Sequence, residues 1–280
     1  MHAQQHSSID TSVPRNASES HSPQQSSGAT PSRPEAGAHT PPRLTLAPAA
    51  LARVRRLLAE RAGQRTVIGL VGEPGAGKST VAAALSAALA TEITLAVVPM
   101  DGFHLANAEL ARLGRSGRKG APDTFDSAGY LALLHRLKKA GVAYREEGES
   151  ADDPETTIYA PAFHREIEEA VAGEIPVSSN TQLVITEGNY LLLDAPNWRD
   201  VRGLLDDVWF VATPADQRHE QLLARHIAHG RTREAALDWI ANTDEPNARR
   251  IAASVKEAQA AGIDVFELPV SAVASASTLA

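Results

Sequence analysis

Lys78, Ser79, Asp101 and Glu187 are the residues of this sequence whose types and settings could do chemistry. Lys78 and Ser79 close the segment Gly72-Glu73-Pro74-Gly75-Ala76-Gly77-Lys78-Ser79, which follows the apolar run 66–71 and opens an alanine-rich stretch suited to a helix. Glycines at 72, 75 and 77 allow backbone angles that other residues resist. N–H groups from about Gly75 onward, Pro74 having none, can therefore turn inward around phosphate oxygens at the positive end of the helix. The cradle comprises Gly72, Gly75, Ala76, Gly77, Lys78, Ser79 and Thr80. Lys78 supplies a point charge for the β and γ phosphates of a nucleotide, and the Ser79 hydroxyl is placed to ligate Mg²⁺. Asp101 and Glu187 each end an apolar strand-like run, at the edge where an open parallel sheet places its ligands. Such a pair suits phosphoryl transfer, one carboxylate accepting the proton of an attacking hydroxyl and the other holding the surroundings of the metal. The alternative for each acid is a loop cap.

The elements that must position these residues follow from the apolar pattern. Strands are predicted at about 67–71, 93–98, 183–186, 208–212 and 263–267, and helices at about 78–90, 128–139, 198–205, 214–229, 233–240 and 247–260. Strands alternating with helices form a parallel sheet covered on both faces. The expected fold class is therefore α/β, a P-loop NTPase fold with a five-stranded parallel sheet, helices on both faces and a helical lid over about 214–243. A one-faced helix carried by Leu51, Val54, Leu57 and Leu58 precedes the first strand and ends at Gly63. The interval of about 101–180 exceeds an ordinary crossover and is expected to hold the acceptor-binding loops. Residues 1–43, rich in Ser, Pro and Gln without apolar periodicity, are predicted to form a disordered tail, leaving 44–280 as the folded domain.

Composition narrows the function classes. Of 280 residues 43% are hydrophobic, enough for one α/β domain without staples. Cysteine is absent, which excludes disulfides, thiolate metal sites and cysteine nucleophiles and agrees with a cytoplasmic location. The net charge of -7, with no long basic patch, argues against a nucleic-acid partner. No apolar run reaches the roughly 18 residues that would span a bilayer, so no membrane partner is expected. An apolar helix face looks the same against its own sheet or a second subunit, so a homodimer stays open.

Further motifs accompany the two acids: Met100-Asp101-Gly102-Phe103-His104, Lys119-Gly120-Ala121-Pro122, Tyr159-Ala160-Pro161-Ala162-Phe163 and Glu187-Gly188-Asn189-Tyr190. Over roughly residues 65–270 their order resembles the P-loop kinases that include uridine kinase, type I pantothenate kinase and phosphoribulokinase. The resemblance implies an ATP- and Mg²⁺-dependent kinase acting on a hydroxyl of a small metabolite: a pantothenate-like compound, a nucleoside, or a sugar or other polyol. Asp101 would be its general base and Glu187 an Mg²⁺-associated carboxylate. Asp101, Phe103, His104, Lys119, Tyr159, Phe163 and His164 would form the acceptor pocket. Arg225 is similar to the lid arginine of uridine kinases, with Arg218 one face-repeat before it and Arg231 and Arg233 after Gly230. Two departures stand out. His229-Gly230 replaces an Arg-Asp pair, and His164 with Arg165 follows the aromatic Phe163 where uridine kinases carry Asp and pantothenate kinases Ser. The second change suits a substrate with an acidic group, a differently arranged polyol, or neutral surface variation. Rival readings are a P-loop switch NTPase or a non-catalytic metabolite sensor acting on a protein partner. No Asn-Lys-x-Asp guanine-reading motif favours the switch. His226 and His229 could share a metal only with a third ligand, and none is evident.

Overall fold

Six apolar residues in a row, Thr66–Val71, read as a strand buried on both faces, and in the computed structural model all six are inaccessible. The structure describes residues 46–140 and 156–270; the expected tail over 1–43 lies outside them. The elements run α1 (Pro48–Glu60), β1 (Thr66–Val71), α2 (Lys78–Leu89), β2 (Leu95–Pro99), α3 (Asn107–Arg112), α4 (Ser127–Ala140), β3 (Ile158–His164) and β4 (Glu169–Val177). They continue with β5 (Leu183–Gly188), α5 (Trp198–Val201), β6 (Asp207–Ala212), α6 (Ala215–Ala228), α7 (Arg233–Trp239), α8 (Glu245–Ala260) and β7 (Val265–Pro269). Five strands form one sheet in the order β2-β5-β1-β6-β7, with every neighbouring pair parallel.

Alternate residues of each strand feed two cores. Val67 and Val71 join Val98, Val184, Tyr130 and Leu134 on one face. Ile68 and Leu70 join Leu85, Ile185 and Trp209 on the other, under α1 and α2. Each such side chain contributes about 1.5–3 kcal/mol by leaving water, which holds the sheet rigid beneath the loops at its C-terminal edge. Among the described residues no helix is long and apolar enough to cross a membrane.

The interval between β2 and β5 holds the expected helix at 128–139, observed as α4, and more structure than the expected loops. It contains α3, α4 and a two-stranded antiparallel sheet, β3-β4, whose register runs from Ile158 opposite Val177 to His164 opposite Glu169. Most of β4 is exposed, so it lacks the apolar alternation that reveals a half-buried strand. Two helix boundaries differ as well. The predicted helix 198–205 is one turn of α-helix continued by a 3₁₀ turn at Arg202–Leu204, and α8 starts at Glu245 with a proline in its first turn.

At the opposite edge of the sheet, Arg65 is 1% exposed. Its guanidinium donates to the carbonyls of Ser178 (2.8 Å), Thr181 (3.0 Å), Leu137 (3.3 Å) and Ser179 (3.4 Å). It ties the last turn of α4 to the chain entering β5, where the negative end of the helix favours a cation. Burial lowers its pKa from the ordinary arginine value. Arg65→Met should remove the guanidinium's bonds to these carbonyls and cost about 2–4 kcal/mol, read as a lower midpoint in urea unfolding. Because Arg65 is remote from the sheet's C-terminal edge, kcat of the folded fraction should be unchanged.

Candidate active site

Topology alone gathers the chemistry-bearing residues. β5 lies between β1 and β2, with Gly188 opposite Val71 and Glu187 opposite Pro99. The glycine loop leaving β1, the 3₁₀ turn Met100–Phe103 leaving β2 and the end of β5 therefore meet at one edge. Gly75 and Gly77 hold φ of +80° and +82°, angles that side chains resist. A Cβ at Gly75 would also come within 2.6 Å of Leu222. Gly77 caps α2 with no side-chain hydrogen bond. The first bond of the helix is from Val81 N–H to the Gly77 carbonyl at 3.0 Å, so the N–H groups of 78, 79 and 80 precede its ladder and suit an anion.

The Lys78 ammonium donates to the carbonyls of Gly72 (2.9 Å) and Glu73 (3.2 Å) and to Asn189 Oδ1 (2.7 Å). Burial pulls its pKa down to about 8, against the raising effect of the Glu187 and Asp101 charges. Ser79 Oγ donates to Glu187 Oε1 at 2.6 Å. Burial pushes the Glu187 carboxyl up, opposed by the Lys78 charge and the Ser79 hydrogen bond. A hydroxyl and a carboxylate side by side form an oxygen donor set suited to a hard divalent cation.

A cavity of about 700 Å³ opens above these groups, lined on the side of the glycine loop by Gly75, Gly77, Lys78, Ser79, Thr80 and Glu187. Gly72 and Ala76 are buried behind it; Gly72 contributes the carbonyl that holds Lys78. The side toward the β3–β4 hairpin includes Asp101, His104, Lys119, Phe163 and Arg165. His104 stacks against Phe125 and Phe163, with ring centroids 4.0 and 4.6 Å away. Its Nδ1 bonds the Asp101 carbonyl at 2.8 Å, and burial lowers its pKa, so Nδ1 carries the proton and Nε2 is left as an acceptor.

Three predicted acceptor residues lie elsewhere. Phe103 turns into the core, edge-on to Tyr130 with centroids 5.2 Å apart. Tyr159 is 46% exposed, because strand alternation sends Ile158 and Ala160 inward and Tyr159 out. His164 pairs along the hairpin with Glu174 at 2.5 Å, which raises its pKa.

The far wall is formed by α6 and the segment after it, with Arg225, His226, Arg231 and Trp239 reaching the cavity. Arg225 has no carboxylate within salt-bridge distance among the described residues, and burial lowers its pKa. Arg231 stacks 4.0 Å from the Trp239 ring centroid. Arg218 is no second lid arginine: 3% exposed, it clamps Glu73 (3.2 Å) and Glu245 beneath the glycine loop. His226 is held by Asp244 at 2.8 Å, and His229 Nδ1 bonds the Arg225 carbonyl. Among the described residues no cluster of three or more His, Asp or Glu could hold a metal. Asp244 and Glu245 thus form cross-element pairs instead of capping α8.

The family model described as phosphoribulokinase/uridine kinase matches residues 67–268. The chain belongs to the phosphoribulokinase/uridine kinase family. Among its relatives, "Putative uridine kinase C227.14" of Schizosaccharomyces pombe is 34% identical over 194 residues, covering 66% of this chain and 77% of that protein. The protein YggC of Escherichia coli is 32% identical over 198 residues, covering 70% and 76%. A crystal structure described as a "putative fructose transport system kinase" from Silicibacter sp. TM1040 superposes with a TM-score of 0.63 at 38% identity, covering 73% of this chain and 93% of the other. YFH7 of Saccharomyces cerevisiae shares the fold, with a TM-score of 0.64 at 20% identity.

Within this kinase family's framework, the sequence reading gave Asn189 no role of its own and marked Arg165 only as a departure beside His164. Asn189 stood inside a recognised motif, but its hold on Lys78 depends on β5 and β1 being neighbours. Arg165 reaches Asp101 at 3.4 Å only because the hairpin folds back. That fold-back rests on Gly102. A Cβ there would lie 2.2 Å from the Pro161 carbonyl oxygen, at the register shift in β3 where proline offers no ladder donor. Gly102→Ala should push the hairpin off the Asp101 turn, seen as at least a tenfold fall in kcat/KM together with a lower melting temperature.

Proposed function

We propose that this kinase moves the γ-phosphate of ATP to a hydroxyl of a small metabolite and requires Mg²⁺. The observation that carries the reading is a single cavity shared by Asp101 at one end and by Lys78 and the Ser79–Glu187 pair at the other. Ser79 and Glu187 would hold the metal, which when bound offsets charge on the phosphates. The loop N–H groups and Lys78 would orient the phosphate chain, and Arg225 would balance charge spreading over the transferred group. Asp101 would accept the hydroxyl proton as the acceptor oxygen bonds to the γ-phosphorus. The bond from that phosphorus to the β–γ bridging oxygen breaks, and its electron pair leaves on ADP. Closure of the α6–α7 wall would exclude water.

The names borne by relatives put a nucleoside and a sugar on the acceptor panel. The test is ADP release from MgATP with nucleosides, free sugars, sugar acids and pantothenate, each acceptor supplied alone. Release that depends on one acceptor class, with a phosphorylated product of matching mass, supports the reading. Release indifferent to every acceptor, or none despite measured ATP binding, overturns it in favour of a switch or sensor.

A further inference from the structure

The phosphate end of the cavity has its own cations in Lys78 and the lid arginines, yet two more line the acceptor end. Lys119 Nζ and the Arg165 guanidinium stand over the same ring, 5.0 and 6.0 Å from the Phe163 centroid. The carboxylate contacts of both are long. Lys119 donates to Asn107 Oδ1 at 2.7 Å and to the Glu168 carbonyl, while its ion-pair partner, the Glu168 carboxylate, is 3.6 Å away and more than half exposed. Arg165 has one carboxylate partner, Asp101, at 3.4 Å. Around this pair the further charged or titratable groups are His104, which Asp101 and the rings hold, Lys78 and Arg225, and the Glu187 carboxylate. Glu187 feels the Arg165 charge but is already engaged by Ser79 and by the Lys78 charge.

While Arg165 donates to Asp101 Oδ2 at 3.4 Å, it occupies an oxygen that the reacting hydroxyl would approach. Once Asp101 takes the acceptor's proton it is neutral, and Arg165 has lost its counter-charge. An anionic group on the acceptor itself resolves both conflicts: it draws Arg165 off Asp101 before transfer and remains its partner afterwards. Arg-carboxylate and Arg-phosphate pairs are also geometrically specific, so the same contact would orient the reacting hydroxyl.

Building on the kinase reading, we propose that the acceptor is a hydroxyl compound bearing a carboxylate or phosphate, bound between Lys119 and Arg165 beside Phe163. His164, turned along the hairpin to Glu174, takes no part. The His104 Nε2 acceptor suits a polyhydroxy chain attached to that anion.

The experiment compares matched acceptors that differ only in the anion: a sugar acid against its alditol, and a sugar phosphate against the free sugar, each with wild type, Arg165→Met and Arg165→Lys. Wild type should favour the anionic member of at least one pair by about 30-fold or more in kcat/KM, the two pairs separating carboxylate from phosphate. Arg165→Met should cut that preference at least tenfold, chiefly through KM of the anionic member, and Arg165→Lys should restore part of it. A purely structural role for Arg165 would lower both members alike and would overturn the proposal. Equal or better use of the neutral members would also overturn it while leaving the kinase reading intact. Absence of ADP formation with every acceptor would overturn both.

Discussion

Asp101→Asn is expected to lower kcat by roughly 10²- to 10⁴-fold while ATP binds as before. The amide matches the carboxylate in shape, so the 3₁₀ turn and its carbonyl bond to His104 should persist. What is lost is a group able to take a proton from the attacking hydroxyl. Asn cannot pair ionically with Arg165, so KM for an anionic acceptor should hold or improve even as turnover collapses. Steady-state kinetics with a separate ATP titration checks this, and a kcat within a few-fold of wild type would remove Asp101 from the base role.

Lys78→Met should separate activity from stability. Activity should fall about 10²- to 10³-fold, because one preorganised charge on the phosphates is gone. Stability should change much less. The ammonium sits where burial drags its pKa to about 8, and removing it relieves a penalty on the order of 1 to 3 kcal/mol. Against that, the substitution gives up the bonds to Gly72, Glu73 and Asn189 and leaves the buried Glu187 carboxylate without the charge that opposes its burial. Thermal unfolding alongside single-turnover phosphoryl transfer separates the two effects. Loss of activity with an equal loss of stability would mean that Lys78 mainly holds the loop together.

The parallel sheet and its phosphate end were legible because local patterns carry them. Uninterrupted apolar runs mark strands buried on both faces, and a glycine-rich turn between strand and helix has few other uses. The acceptor end was read less well, for an identifiable reason. Phe103 and Tyr159 belong to the right motifs, but which way a side chain points there is decided by alternation along β3 and by packing on Tyr130, and neither is visible in composition. The hairpin itself hid because β4 is exposed along most of its length. Arg218 and Arg225 share a helix face and look equivalent in sequence. Yet Arg218 packs beneath the glycine loop and is taken by Glu73 and Glu245, and only Arg225, two turns further on, reaches the cavity.

The contact of Pro161 with Gly102 has a bearing on how selectivity in this scaffold can change. The hairpin and the turn that carries Asp101 touch backbone to backbone, with no side chain between them to absorb a displacement. Shifting the hairpin to admit a bulkier compound would drag the Asp101 turn with it, so remodelling by insertion in β3 would trade breadth for speed. Changes confined to the tip at 165–168, beyond that contact, escape the constraint. Directed evolution of new acceptors should therefore accumulate its useful substitutions at the tip and leave 102 and 161 untouched.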